Sequence, residues 1–175
     1  MTNIPLFIFL LQLLKAFSSK NRRSVPLLKA LTHHLMRKKD IEDLKVVSDA
    51  LFAASKLNFK DPEFFESMCS AAEKAFETVD AKDPVVVVIR SILTSLGRSS
   101  FLHPGLLNVI TKWYSSAIQE DIPLEDRDLF AYLMTTARVN YVPIASQHVY
   151  NVRIKLILCC LFQNILLEFN FSENC

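Results

Sequence analysis

Glycine is almost missing: Gly97 and Gly105 are the only two in 175 residues. Hairpin turns and phosphate-cradling loops both rely on glycine for positive φ or for close backbone approach. A P-loop and the Gly-x-Gly-x-x-Gly cover of a protein kinase are thereby excluded, and helices joined by other punctuation are favoured over strands joined by tight hairpins. The His-Arg-Asp and Asp-Phe-Gly triplets of a kinase are absent as well. The four cysteines, Cys69, Cys159, Cys160 and Cys175, form no Cys-x-x-Cys pair, so the usual zinc and redox spacings are missing. Adjacent Cys159 and Cys160 are a poor start for a disulfide framework. Reduced, mostly buried thiols are expected, as in an intracellular or organelle-interior protein. The apolar run Ile4–Leu14 has 11 residues, short of the roughly 20 that a membrane span needs.

What is there suits a folded chain of about one domain: 51% hydrophobic and 22% charged residues. The net charge of +2 hides an asymmetry. Within residues 1–40, Lys15, Lys20, Arg22, Arg23, Lys29, Arg37, Lys38 and Lys39 face only Asp40, a local net of +7. The remainder therefore sums to −5. Two readings stay open for the basic end: a surface for an anionic partner, or a solvated basic face.

Proline supplies the punctuation that glycine does not. Pro62, Pro84, Pro104, Pro123 and Pro143 are separated by 22, 20, 19 and 20 residues. Proline suits a first helical turn, where its missing N–H costs nothing, and Asp61 and Asp83 are good N-caps before two of them. A helix is therefore expected to start about every 20 residues. Ile41, Leu44, Val47, Leu51, Ala54 and Leu57 step by three or four. So do Phe65, Met68, Ala72, Phe76 and Val79, and then Leu106, Ile110, Trp113 and Ala117. These are single-face patterns of amphipathic helices. The β-branched run Val85–Ile89 is read as helix because Ile92, Leu93 and Leu96 extend it at helical spacing.

A longer period lies on top. Leu51–Phe59 (LFAASKLNF), Leu93–Phe101 (LTSLGRSSF) and Leu133–Tyr141 (LMTTARVNY) each run from leucine to an aromatic, at offsets of 42 and 40 residues. Ser55, Gly97 and Ala137 hold one register position. A two-helix repeat of about 40 residues is the mark of an α-solenoid. The expected fold is all-α, an α-solenoid of such repeats over residues 20–145. Residues 1–19 are read as an apolar helix, a remnant of a preceding repeat rather than a secretory signal, because Met1–Asn3 carry no basic side chain. Residues 146–175, with the apolar stretch Arg153–Phe171, are read as a capping helix or a tail foreign to the fold.

Residues Asn21–Leu35 (NRRSVPLLKALTHHL), followed by the LFAASKLNF and LMTTARVNY endings, resemble the first conserved segment of the FAST-kinase-domain-containing family. The resemblance covers about residues 20–145. It implies helical repeats, a mitochondrial matrix location, binding to single-stranded RNA of mitochondrial transcripts alongside other RNA-processing proteins, and an influence on transcript processing and stability. The chain departs from the family pattern. It lacks the second conserved segment, the C-terminal RAP domain and an obvious transit peptide, which makes a fragment or truncated product the expectation.

No catalytic, metal or cofactor constellation is expected. His33 and His34 are adjacent, point about 100° apart on a helix and cannot share a metal. His103 precedes Pro104 and reads as a helix-start residue, and His148 has no ligand set nearby. Asp61, Glu63 and Glu66, and likewise Asp121, Glu125, Asp126 and Asp128, cluster where helices begin and favour the dipole. The basic residues are the functional candidates: Lys20, Arg22 and Arg23 before a helix, and Lys56, Arg90, Arg98 and Arg138 within the repeats. Arg98 and Arg138 share a register position 40 apart, and Lys56 precedes Arg98 by 42. Stacked repeats would set these three in a row suited to a phosphate backbone, with aromatic or arginine side chains stacking on unpaired bases. A solvated helix-end charge is the competing reading. The expected function is an RNA-binding helical-repeat module, with a protein-interaction scaffold as the alternative and a membrane-associated role for the apolar ends as a third.

Overall fold

The computed structural model describes residues 4–37, 41, 43–79 and 85–141. Among these residues there are seven α-helices and no strand: α1 (Ile4–Ser19), α2 (Val25–Met36), α3 (Leu44–Lys56), α4 (Pro62–Phe76), α5 (Val86–Ser99), α6 (Pro104–Gln119) and α7 (Asp126–Arg138). The all-α expectation holds. Pro84, Pro143, His148 and the stretch 146–175 lie outside the described residues.

Local chemistry explains the helix starts. The Asp43 carboxylate accepts from the Lys45 N–H at 2.8 Å, and that of Asp61 from the Phe64 N–H at 3.1 Å. His103 caps α6 through Nδ1, which accepts from the Leu106 N–H at 3.1 Å. Proline stands in the first turn of α2, α4 and α6. Among the described helices, proline thus marks the starts of α2, α4 and α6 but not of α3 or α7, and α1 carries Pro5 at its second position. Pro123 is a correction to the expected pattern: α7 begins three residues later, at Asp126, after the N-cap Glu125. There the start is set by the Glu125 N–H donating to the Asp128 carboxylate at 3.2 Å, a bond that needs no proline.

The helix ends account for the scarce glycine. Among the described residues five turns use a left-handed residue, and none is glycine: Asn21, Asn58, Ser100, Asp121 and Asn140 have φ near +50°. Asparagine, aspartate and serine tolerate this conformation because a short polar side chain bonds locally. The next residue's N–H closes each turn onto a carbonyl five residues back: Phe59 to Ala54, Phe101 to Leu96 and Tyr141 to Thr136, at 2.9–3.1 Å. These are Schellman ends. The recurring ending, Asn58-Phe59, Ser100-Phe101 and Asn140-Tyr141, is thus a capping device repeated at the ends of α3, α5 and α7. Its aromatic residue then packs on the second row of helices: the Phe101 ring lies 5.4 Å from Phe65 of α4, and the Tyr141 hydroxyl donates to Asn108 of α6.

Packing follows from the apolar stripes. α3 packs on α1, α4 and α5, and α5 on α3 and α7. α4 packs on α2, α3 and α6. One row therefore runs α1, α3, α5, α7, and a second runs α2, α4, α6. Val47, Leu51, Ile89, Leu93 and Leu96 of the first row meet Phe64, Phe65, Met68, Ile110 and Tyr114 of the second in a single core, each buried. Each such side chain contributes about 1.5–3 kcal/mol of burial. Truncating Leu93 to alanine would cost about 2–5 kcal/mol. In α1, Phe7, Leu11 and Leu14 are buried, whereas Leu6, Ile8 and Phe9 remain exposed.

Candidate functional site

Within the first row, α5 and α7 approach closely at Gly97. Gly97 permits it: a Cβ there would stand 3.0 Å from Thr135 Oγ1. The Thr135 hydroxyl in turn donates to the Leu93 carbonyl at 2.9 Å, bridging the two helices. At their other end Arg90 Nη1 meets Asp128 Oδ1 at 2.6 Å. The pairs 90–128 and 97–135 advance together, so the helices run parallel. Asp128 is buried, and its second oxygen holds the Glu125 N–H. The Tyr114 hydroxyl donates to the Asp128 carbonyl at 3.2 Å, and Tyr132 bonds Thr111 at 2.8 Å. Burial, reinforced by the Asp128 carboxylate, pushes the Tyr114 phenol well above its ordinary value.

Above this seam lies an open groove of about 410 Å³. Thr94, Gly97, Ala131 and Thr135 line it, and arginines stand at both ends: Arg90 with Arg127, and Arg98 with Arg138. Between them Phe130 and Met134 also line the groove, although 58% and 54% exposed. No carboxylate among the described residues lines it. Two other hollows carry mixed charge, one with Lys112, Glu77 and Glu120, the other with Lys29, Asp61 and Glu63.

The structure gathers some of the expected cations and separates others. Arg90, Arg98 and Arg138 share the groove. Lys56 closes α3, the neighbouring helix, whose Phe52 ring lies under the Arg98 guanidinium at 5.6 Å. Lys56, Arg98 and Arg138 occupy the last turns of three successive helices of one row and are exposed. No carboxylate among the described residues pairs with them. Arg90 differs, since its charge is matched by buried Asp128. Arg127 is paired with Glu125, whose carboxyl is held below its ordinary value by that hydrogen bond. Lys20, Arg22 and Arg23 are exposed after α1 and do not line the groove; the Arg22 N–H closes the end of α1 on the Phe17 carbonyl.

Arg127, Phe130 and Met134 are groove residues that the sequence reading did not single out. Their signal was present: positions 127, 130, 134 and 138 step by three and four along α7, a second stripe beside the buried one of Leu129, Tyr132 and Thr136. Elsewhere, His33 and His34 are exposed on α2. His103 is buried in its capping role, with Nε2 3.5 Å from Glu66. Among the described residues no group of three or more His, Cys, Asp or Glu is placed to hold a metal ion. No helix among them is long and apolar enough to cross a membrane.

Comparisons with protein-family models, with curated proteins and with solved structures give no match to this chain.

Proposed function

We propose that the chain is part of an α-solenoid that binds single-stranded RNA, a module of the FAST-kinase-domain-containing type. The two rows of helices support the solenoid reading, with α3, α5 and α7 ended by the same left-handed cap followed by an aromatic, of which Phe101 and Tyr141 touch the facing row. One observation carries the RNA reading: three cations, Lys56, Arg98 and Arg138, at equivalent ends of α3, α5 and α7, which have no carboxylate partner among the described residues and stand beside a groove that no described carboxylate lines. Regularly spaced cations match the repeating charge of a nucleic-acid backbone and gain affinity through counterion release. The mechanism is recognition rather than catalysis. Location in the mitochondrial matrix and a part in transcript processing and stability follow from the family resemblance and belong to the same proposal.

The test is fluorescence anisotropy of a labelled single-stranded RNA at two salt concentrations, with a K56A/R98A/R138A variant alongside. Expected is binding that weakens with salt and is lost in the variant. A folded wild-type chain that binds no RNA at low salt would reject this reading in favour of a protein-interaction scaffold.

A further inference from the structure

The groove between α5 and α7 holds more than a phosphate contact requires. A site that only gripped a backbone would need cations and no apolar surface. Here Phe130 and Met134 stand exposed among four arginines, so an apolar surface that covered them would gain free energy. They are four residues apart, one helical turn, so they form one contact and not a row of anchors. An acidic amphipathic helix would instead need anchors repeated over two or more turns. At about 410 Å³ the groove is at the lower end of the range for small-molecule sites, about 300–1,000 Å³. Its ends are chemically unequal. Arg90 and Arg127 have carboxylate partners, while Arg98 and Arg138 have none among the described residues. The Phe52 ring beneath Arg98 orients that guanidinium.

Resting on the RNA reading above, we infer that this groove is a subsite for one unpaired nucleotide. The base stacks on Phe130 against Met134, and the adjoining phosphates lie at Arg98 and Arg138. Bases within a duplex are already stacked and hidden, so such a subsite selects single strands. Phe130 and Met134 thereby gain a binding role through ring and thioether contact rather than charge.

The experiment titrates wild-type chain, F130A, F130W and R98A/R138A with an unstructured labelled RNA of about 12 nucleotides. Inorganic polyphosphate and polyglutamate of matched charge serve as competitors. Phe130 is exposed, so F130A should keep the wild-type helix content and melting temperature, and circular dichroism checks this. Expected for F130A is a loss of RNA affinity of about 5- to 150-fold, the range for one stacked base. Its salt dependence and its competition by polyphosphate should stay unchanged, and F130W should restore binding with its indole fluorescence quenched by RNA. Undiminished RNA binding by F130A beside loss in R98A/R138A overturns the subsite and leaves the RNA reading standing. Polyglutamate bound as tightly as RNA, and equally weakened in F130A, overturns it in favour of an acidic polypeptide. Absence of RNA binding by folded wild-type chain overturns both.

Discussion

Removing Arg90 should unfold the α5–α7 seam more readily than removing any other charge in the groove. Asp128 has a side chain only 2% exposed and meets Arg90 at 2.6 Å. Its second oxygen is already engaged by the Glu125 N–H. In R90M the methionine fills much of the arginine stem's space but leaves a buried carboxylate without its cation. Breaking a buried pair from one side costs about 3–5 kcal/mol. The Arg90 side chain is 22% exposed, so water reaches the site and the lower end, about 3 kcal/mol, applies. At about 2–4 °C per kcal/mol for a chain of this length, the melting temperature should fall by about 6–12 °C. Urea denaturation followed by far-ultraviolet circular dichroism reads the loss directly, with an unchanged slope. The double variant R90M/D128L should recover most of it, less about 1 kcal/mol for the lost cap. A stability for R90M within about 0.5 kcal/mol of wild type would refute the reasoning and return Arg90 to the cations available for a ligand.

Three more outcomes follow from the same physical account. Asn58 is left-handed at the end of α3, so N58A should lose about 1–2 kcal/mol and N58G should not, as melting temperatures will show. A side chain at Gly97 has no room against Thr135; G97L should cost about 1–3 kcal/mol in urea denaturation and weaken whatever the groove binds. Burial raises the Cys69 thiol and the Tyr114 phenol above their ordinary values of 9.0 and 10.0. A raised folded-state value gives stability that is complete below the ordinary value and is lost as pH climbs toward the folded one. Stability should therefore decline from about pH 9 upward, and C69A and Y114F should each flatten that decline; an unaltered alkaline limb in both would contradict the burial account.

The helical class could be read from spacing alone because amphipathic stripes such as Phe65, Met68, Ala72 and Phe76 have only one way to bury themselves together. The repeated Asn-aromatic endings were also visible, although their meaning as left-handed caps required the backbone. Pro123 misled because a proline fits an extended linker as well as a first helical turn. Arg98 and Arg138 were legible as a pair from register. The commitment of Arg90 to Asp128, 38 residues away, was not, since no local pattern reveals which charge on a neighbouring helix is buried. Phe130 and Met134 were hidden for a related reason: apolar residues on a helix are read as core, and only the packing of α7 shows that its core stripe is already supplied by Leu129 and Tyr132.

The central claim is that RNA lies along the ends of α3, α5 and α7. Ultraviolet cross-linking of the chain to a single-stranded RNA, with the linked peptides identified by mass spectrometry, tests it most directly. Cross-links concentrated on Phe130 and its neighbours in α7, and on the last turns of α3 and α5, are the expected result. Cross-links confined to the outer face of α2, α4 and α6 would contradict it.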